Sequence, residues 1–213
     1  MMIVNKYPEL NVYGIIIRNV KVKREECPIV SQIEKYVREK WTVEKLLSNP
    51  IVKAYRSFFW SLDVDPTKER PSSEALVRRL LGGKRLPRIN NVVDAMNAAS
   101  VETLVTFSVF DLDKIKPPLL IRYANGGEIL RVIGGEEFVF PKNFPLMEDG
   151  EGKIIAAVIF RDGEETKVTE QTKNIILVGY VPKIIEKSVL RASTKRAAEI
   201  IVNCAGGEIT TSL

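Results

Sequence analysis

The order of patterns along the chain predicts an α+β fold rather than an alternating β/α array. After one N-terminal strand, helical periodicity dominates to about residue 100, short β-branched runs separated by glycine turns follow, and one helical stretch closes the chain. The 213 residues, 45% hydrophobic and 28% charged, suffice for one sizeable core. The expectation is a single domain over residues 1–213.

Val12 to Val20 contains the run Ile15-Ile16-Ile17, which reads as a buried strand. Pro28 opens a helix with Ile29, Ile33, Tyr36, Val37 and Trp41 at helical spacing. Thr42 caps a short helix through Leu47, and Asn49-Pro50 starts another that carries Ile51, Tyr55, Phe58, Phe59 and Leu62. Their periodicity assigns these aromatics to the core rather than to a base-stacking stripe. Pro71 suits a first helical position, and the stripe Ala75, Leu76, Val77, Leu80 and Leu81 ends at Gly82-Gly83. A further helix over Asn91 to Ser100 places Val93, Met96, Asn97 and Ser100 on one face, with Asp94 beside Asn97. An amide on an apolar face must find hydrogen-bond partners, so Asn97 and Asp94 either tie the helix to nearby backbone or line a ligand pocket.

Strands are expected at Val105 to Phe110, Leu119 to Tyr123, Ile129 to Ile133, Ile154 to Arg161 and Asn174 to Val181. Asp149-Gly150 and Asp162-Gly163 read as turns with exposed carboxylates. The last helix spans about Ser188 to Cys204 and should pack on the sheet.

Histidine is absent and only Cys27 and Cys204 could supply thiols, so no zinc site of the usual type and no Ser-His-Asp triad is expected. Two cysteines so far apart, without a signal pattern, read as reduced thiols of a cytoplasmic protein. The longest apolar run, Ile154 to Phe160, is far short of the ~20 residues of a membrane span. No cofactor is expected: Gly-x-Gly-x-x-Gly is absent, and Gly83-Lys84 lacks the context of a phosphate loop. A net charge of +5 and a pI near 9.1 permit an anionic partner without requiring one.

The block VDAMNAASVETLVTFSVFDLD, with Arg122, Glu128 and DGEETKVTEQTKNIILV, resembles the editing domain of the phenylalanyl-tRNA synthetase beta subunit, built from its B-three and B-four modules. The leading RPSSEALVRRLLGGKRLPRIN is similar to free-standing relatives of that domain, and residues 70–178 carry the match. The resemblance implies a layered β-sandwich core with packed helices. It also implies a pocket containing a Thr-Asn pair, a His ahead of a Phe-Asp, and a Glu late in the last strand. The corresponding positions here are Met96-Asn97, Ser108 and Val178, so of these polar groups only the Asn is kept.

Loss of a positioned acid or base removes a contribution of roughly 10²- to 10⁴-fold in rate. What is left is substrate-assisted hydrolysis, in which a tRNA ribose hydroxyl orients the water while Asn97 and Ser108 hold the ester. Arg122, Glu128 and Arg161, with Met96 and Val178, are the candidates for substrate binding; Glu128 can equally sit in a solvated turn, and Arg122 can equally face outward. Arg78, Arg79, Lys84, Arg85 and Arg88 gather around one helix end, either to hold an acceptor-stem phosphate or as a solvated face. Two functions stand: a trans-acting hydrolase of mischarged aminoacyl-tRNA, or a non-catalytic module that binds an amino acid, an aminoacyl-tRNA or a protein.

Overall fold

The computed structural model describes residues 3–212. Strands β1 (Ile3–Asn5) and β2 (Leu10–Arg18) precede five helices: α1 (Pro28–Lys40), α2 (Val43–Ser48), α3 (Pro50–Ser61), α4 (Ser72–Leu81) and α5 (Asn91–Thr103). Strands β3 (Thr106–Asp111), β4 (Leu119–Tyr123), β5 (Ile129–Arg131), β6 (Glu137–Val139), β7 (Pro145–Glu148), β8 (Ile154–Ala157), β9 (Arg161–Asp162) and β10 (Asn174–Pro182) follow, then α6 (Lys187–Ala205) and β11 (Glu208–Ser212). The fold is α+β, and no helix is long and apolar enough to cross a membrane among the described residues.

One sheet has the order β11-β2-β10-β3, a second β1-β4-β7-β8-β9, and β5 pairs with β6 in a hairpin. Strand β10 lies antiparallel between β2 and β3, and all of its residues except Asn174 are buried. Side chains alternate across it, so Val178 and Tyr180 share a face with Ser108 and Thr106, while Gly179 and Phe107 face α6. A Cβ on Gly179 would lie 2.5 Å from the Thr194 hydroxyl oxygen, so only glycine lets α6 approach this closely.

Helix starts follow their capping residues. Thr42 accepts from the Lys45 N–H, Asn49 from Ile51, and Asn90 from Val92 and Val93. Pro71 is the N-cap residue of α4 rather than its first helical residue. The aromatics of α3 are core: Tyr55, Phe58 and Phe59 are buried. The Tyr55 hydroxyl donates to the Tyr180 carbonyl and accepts the Thr106 N–H at 2.9 Å, bridging two residues paired across β3 and β10.

Three expectations are corrected. The stretch Ile154 to Arg161 is not one strand: it breaks after Ala157, and Ile159 turns the chain at φ 69°. The buried face of α5 carries Val92, Ala95, Ala98 and Ala99, leaving Val93, Met96 and Asn97 half-buried at its margin. Cys27 and Cys204 are not free thiols but form a disulfide, with Cα atoms 5.4 Å apart, that joins the start of α1 to the end of α6.

Replacing Tyr55 with Phe strands a buried N–H and a buried carbonyl while leaving the ring in place. The expected loss is about 1–3 kcal/mol of unfolding free energy, read from urea denaturation.

Candidate functional site

Ser108 points from β3 toward β9, where its hydroxyl donates to Asp162 Oδ1 at 2.8 Å. Asp162 is placed by the turn after β8, which returns the chain so that Asp162 pairs with Ala156. Its carboxyl is turned inward, and burial pushes the pKa up to about 7 against the opposing pull of the Ser108 hydrogen bond. The expected exposed turn carboxylate is therefore a desolvated acid. Asp149 departs from expectation in the same way: it is buried, because its oxygens accept the N–H groups of Lys116, Glu151 and Lys153.

Beside this pair lies the Tyr180 hydroxyl, fully buried and without a hydrogen-bond partner among the described residues. Burial, and next the charge of Asp162, drive its pKa well above the usual phenol value. Ser108 lies near enough to oppose that shift but outside hydrogen-bond geometry. Ser108 and Asp162 open into a recess of about 70 Å³, whose walls include Ser72, Thr106, Phe160 and Arg161. The Arg161 guanidinium lies 4.4 Å from the centre of the Phe160 ring and pairs with Glu69 at 3.0 Å, standing at the rim.

Of the residues singled out from sequence, the fold brings Ser108, Val178 and Arg161 to this region: Val178 pairs with Ser108 across β10 and β3. Asn97 and Met96 lie on α5 and are not among the residues lining the recess; Asn97 makes no side-chain hydrogen bond among the described residues. Asp94 accepts the Ile89 N–H at 2.8 Å, which is the backbone-tying role.

Arg122 and Glu128 form a separate clasp. The Arg122 guanidinium meets Glu148 at 2.6 Å and Glu128 at 3.2 Å. Glu128 is not a solvated turn residue. Burial raises its pKa, but N–H groups of the turn, Asn125 first, and the Arg122 guanidinium outweigh burial and hold it at about 2.

The basic cluster is largely neutralised internally. Arg78 pairs with buried Glu74 at 2.9 Å, Arg88 with buried Glu34 at 3.0 Å, and Arg85 with Glu26. Arg79 donates to the Arg85 carbonyl, while Lys84 is exposed and makes no ion pair among the described residues.

The sequence does not single out Tyr180 or Thr106, and it reads Asp162 as a turn residue and Tyr55 as core rather than as parts of a site. The two-residue period of a strand, counted from Val178, reaches Tyr180, and from Ser108 reaches Thr106. Nothing local marks Asp162, since Asp-Gly signals a turn whether its carboxyl points in or out. No group of three or more Cys, Asp or Glu side chains with metal-binding geometry exists among the described residues.

The α+β fold is shared with a known group of domains. The family model described as "B3/4 domain" matches residues 54–203, and the chain belongs to that family. It is 28% identical over 174 residues to the phenylalanine–tRNA ligase beta subunit of Dehalococcoides mccartyi, covering 70% of this chain and 21% of that protein. It is 34% identical over 89 residues to the same subunit of Ruegeria pomeroyi, covering 42% of this chain and 11% of that one. The chain thus spans about a fifth of the length of the first of these curated relatives, 21%. An N-terminal fragment of the phenylalanyl-tRNA synthetase beta subunit from Pyrococcus horikoshii shares the fold, with a TM-score of 0.53 and 15% identity over 98% of this chain and 50% of that one.

Stability should depend on pH through Asp162. Its folded pKa lies above the ordinary carboxylate value of 3.8, so the native state holds the proton more tightly than the unfolded chain does. The contribution is therefore present below the unfolded pKa and is lost as pH rises toward about 7. In urea denaturation from pH 4 to 8, Asp162→Asn should flatten this part of the wild-type decline.

Proposed function

We propose that the recess at Ser108 and Asp162 hydrolyses the ester of a misacylated tRNA, with Asp162 as the general base. The observation that carries the reading is a half-buried carboxyl, poised at about 7 and hydrogen-bonded to Ser108, the residue that stands where the family resemblance implies a catalytic polar group. A base with a pKa near the working pH combines a useful ionised fraction with a strong pull on the proton.

In this reaction the Asp162 carboxylate takes a proton from water as the water oxygen attacks the ester carbonyl. The tetrahedral intermediate collapses, the bond to the ribose oxygen breaks, and the proton on Asp162 passes to that oxygen. Free amino acid and tRNA leave, and the carboxylate is restored. Ser108 positions the carboxyl and stabilises its ionised form.

The recess also limits the substrate. An engineered apolar cavity of ~150 Å³ accommodates benzene, whereas this recess measures about 70 Å³. A small aliphatic or hydroxylated side chain fits, and an aromatic ring does not. The same small volume favours the second reading, a module that binds a small amino acid or aminoacyl group without turning it over.

Deacylation of tRNAs carrying alanine, serine, glycine or phenylalanine tests both. The first three should be hydrolysed faster than phenylalanine, with kcat/KM rising through about pH 7 to a plateau. Asp162→Asn should lower the rate by ~10²-fold or more. Ser108→Ala should move the rise to higher pH, because it removes the bond that stabilises the carboxylate. A substrate-assisted reaction using Asn97 as donor predicts the reverse ranking, with Asn97→Ala the damaging change. No turnover above the uncatalysed rate, together with Asp162-dependent amino acid binding, would leave only the binding module.

A further inference from the structure

A groove of about 440 Å³ lies between the β1–β2 connection, the start of β2 and the first turns of α6. Asn11, Tyr13, Lys183, Lys187 and Arg191 are on its walls, and no carboxylate residue is. Asn11 Nδ2 donates to the Ile185 carbonyl at 2.9 Å, fixing the β10–α6 connection that forms one wall. The Arg191 guanidinium lies 5.8 Å from the centre of the Tyr13 ring.

The cations are uncompensated. Lys187, Arg191 and Lys195 are exposed, stand four residues apart on α6 and so share a face, with a rise of about 6 Å per step. Neither they nor Lys183 make an ion pair among the described residues, while Arg196 takes Glu102 and Glu199. The nearby Glu186 carboxylate accepts the Ser188 hydroxyl, and Glu9 accepts the Tyr123 hydroxyl. Like charges at this spacing repel, and positive charge in a first helical turn opposes the helix dipole; α6 has no acid there. An anion in the groove relieves both costs. The Arg78–Arg88 region offers less, since its arginines already hold Glu26, Glu34 and Glu74.

We propose that this groove carries a single RNA strand, its phosphates along Lys183, Lys187, Arg191 and Lys195 and a base stacked on Tyr13. A file of cations beside an aromatic face suits a strand with regularly spaced charges and stackable bases. Tyr13 on the groove wall is in register with Gly179, which faces α6, and the next residue, Tyr180, is in register with Thr106 on the recess wall, so the two features share one end of the sheet on opposite faces. The choice of RNA rests on the proposed function; the location of the surface does not.

Fluorescence anisotropy of labelled, unacylated tRNA across a salt series tests the surface without any turnover. Wild-type affinity should fall with salt. Lys187→Glu with Arg191→Glu should weaken binding on the order of tenfold or more and shrink the log–log slope by about 1.4, two contacts at about 0.7 each. The equally charge-reversing pair Lys45→Glu with Lys53→Glu, on α2 and α3, should leave binding nearly unchanged. If the reversed α6 pair fails to fold, Lys187→Gln with Arg191→Gln should show the same loss in smaller measure. Undiminished binding in the folded α6 variants, equal loss in both pairs, no salt-dependent binding, or displacement by polyglutamate as readily as by single-stranded RNA would each overturn the proposal. Groove-dependent binding without deacylation would leave this inference standing and remove the hydrolase reading.

Discussion

Strand β10 is hydrogen-bonded on both sides, and its residues after Asn174 are buried. Polar groups facing its layer are favoured to find partners inside the protein, although the Tyr180 hydroxyl has none among the described residues. At one end, the Tyr55 hydroxyl meets that demand by joining Thr106 and Tyr180. One step further along β3, Ser108 faces the second sheet, and Asp162 meets it there. The same packing that favours this contact withdraws Asp162 from bulk solvent and raises its pKa. A structural requirement of the strand thereby produces an acid suited to proton transfer near neutral pH.

The helices were legible because each has a local cause. Thr42 and Asn49 mark helix starts, and Tyr55, Phe58 and Phe59 recur at a spacing that only a packed helix face explains. The central strand was equally legible from its unbroken apolar run. The break after Ala157 was not, since Ile154 to Phe160 is apolar throughout, and a buried turn has the same composition as a buried strand. Several misread side chains depend on a partner distant in sequence. Asp162 is turned inward by Ser108, Cys27 meets a cysteine 177 positions away, and Arg88 is held by Glu34. Asn97 was placed one step around its helix, because alanines, which carry little hydrophobic signal, form the face that packs.

Belonging to the B3/4 domain family accounts for the layered fold, but it does not transfer chemistry. Two positions that the resemblance makes polar hold Met96 and Val178, and a third holds Ser108. The carboxyl that meets Ser108 comes from another strand, β9. The positive charge is divided: the arginines around α4 stabilise their own loop, and Lys187, Arg191 and Lys195 of α6 are exposed and make no ion pair among the described residues.

The central claim is that Asp162 is a desolvated acid in contact with Ser108. Its most direct test is a carbon-13 NMR titration of the side-chain carboxyls in the folded protein, with the Asp162 resonance assigned by comparison with Asp162→Asn. The account predicts a midpoint near 7, moving higher in Ser108→Ala. A midpoint close to the ordinary carboxylate value of 3.8, unmoved by that substitution, would show an exposed and uncoupled carboxylate and would contradict it.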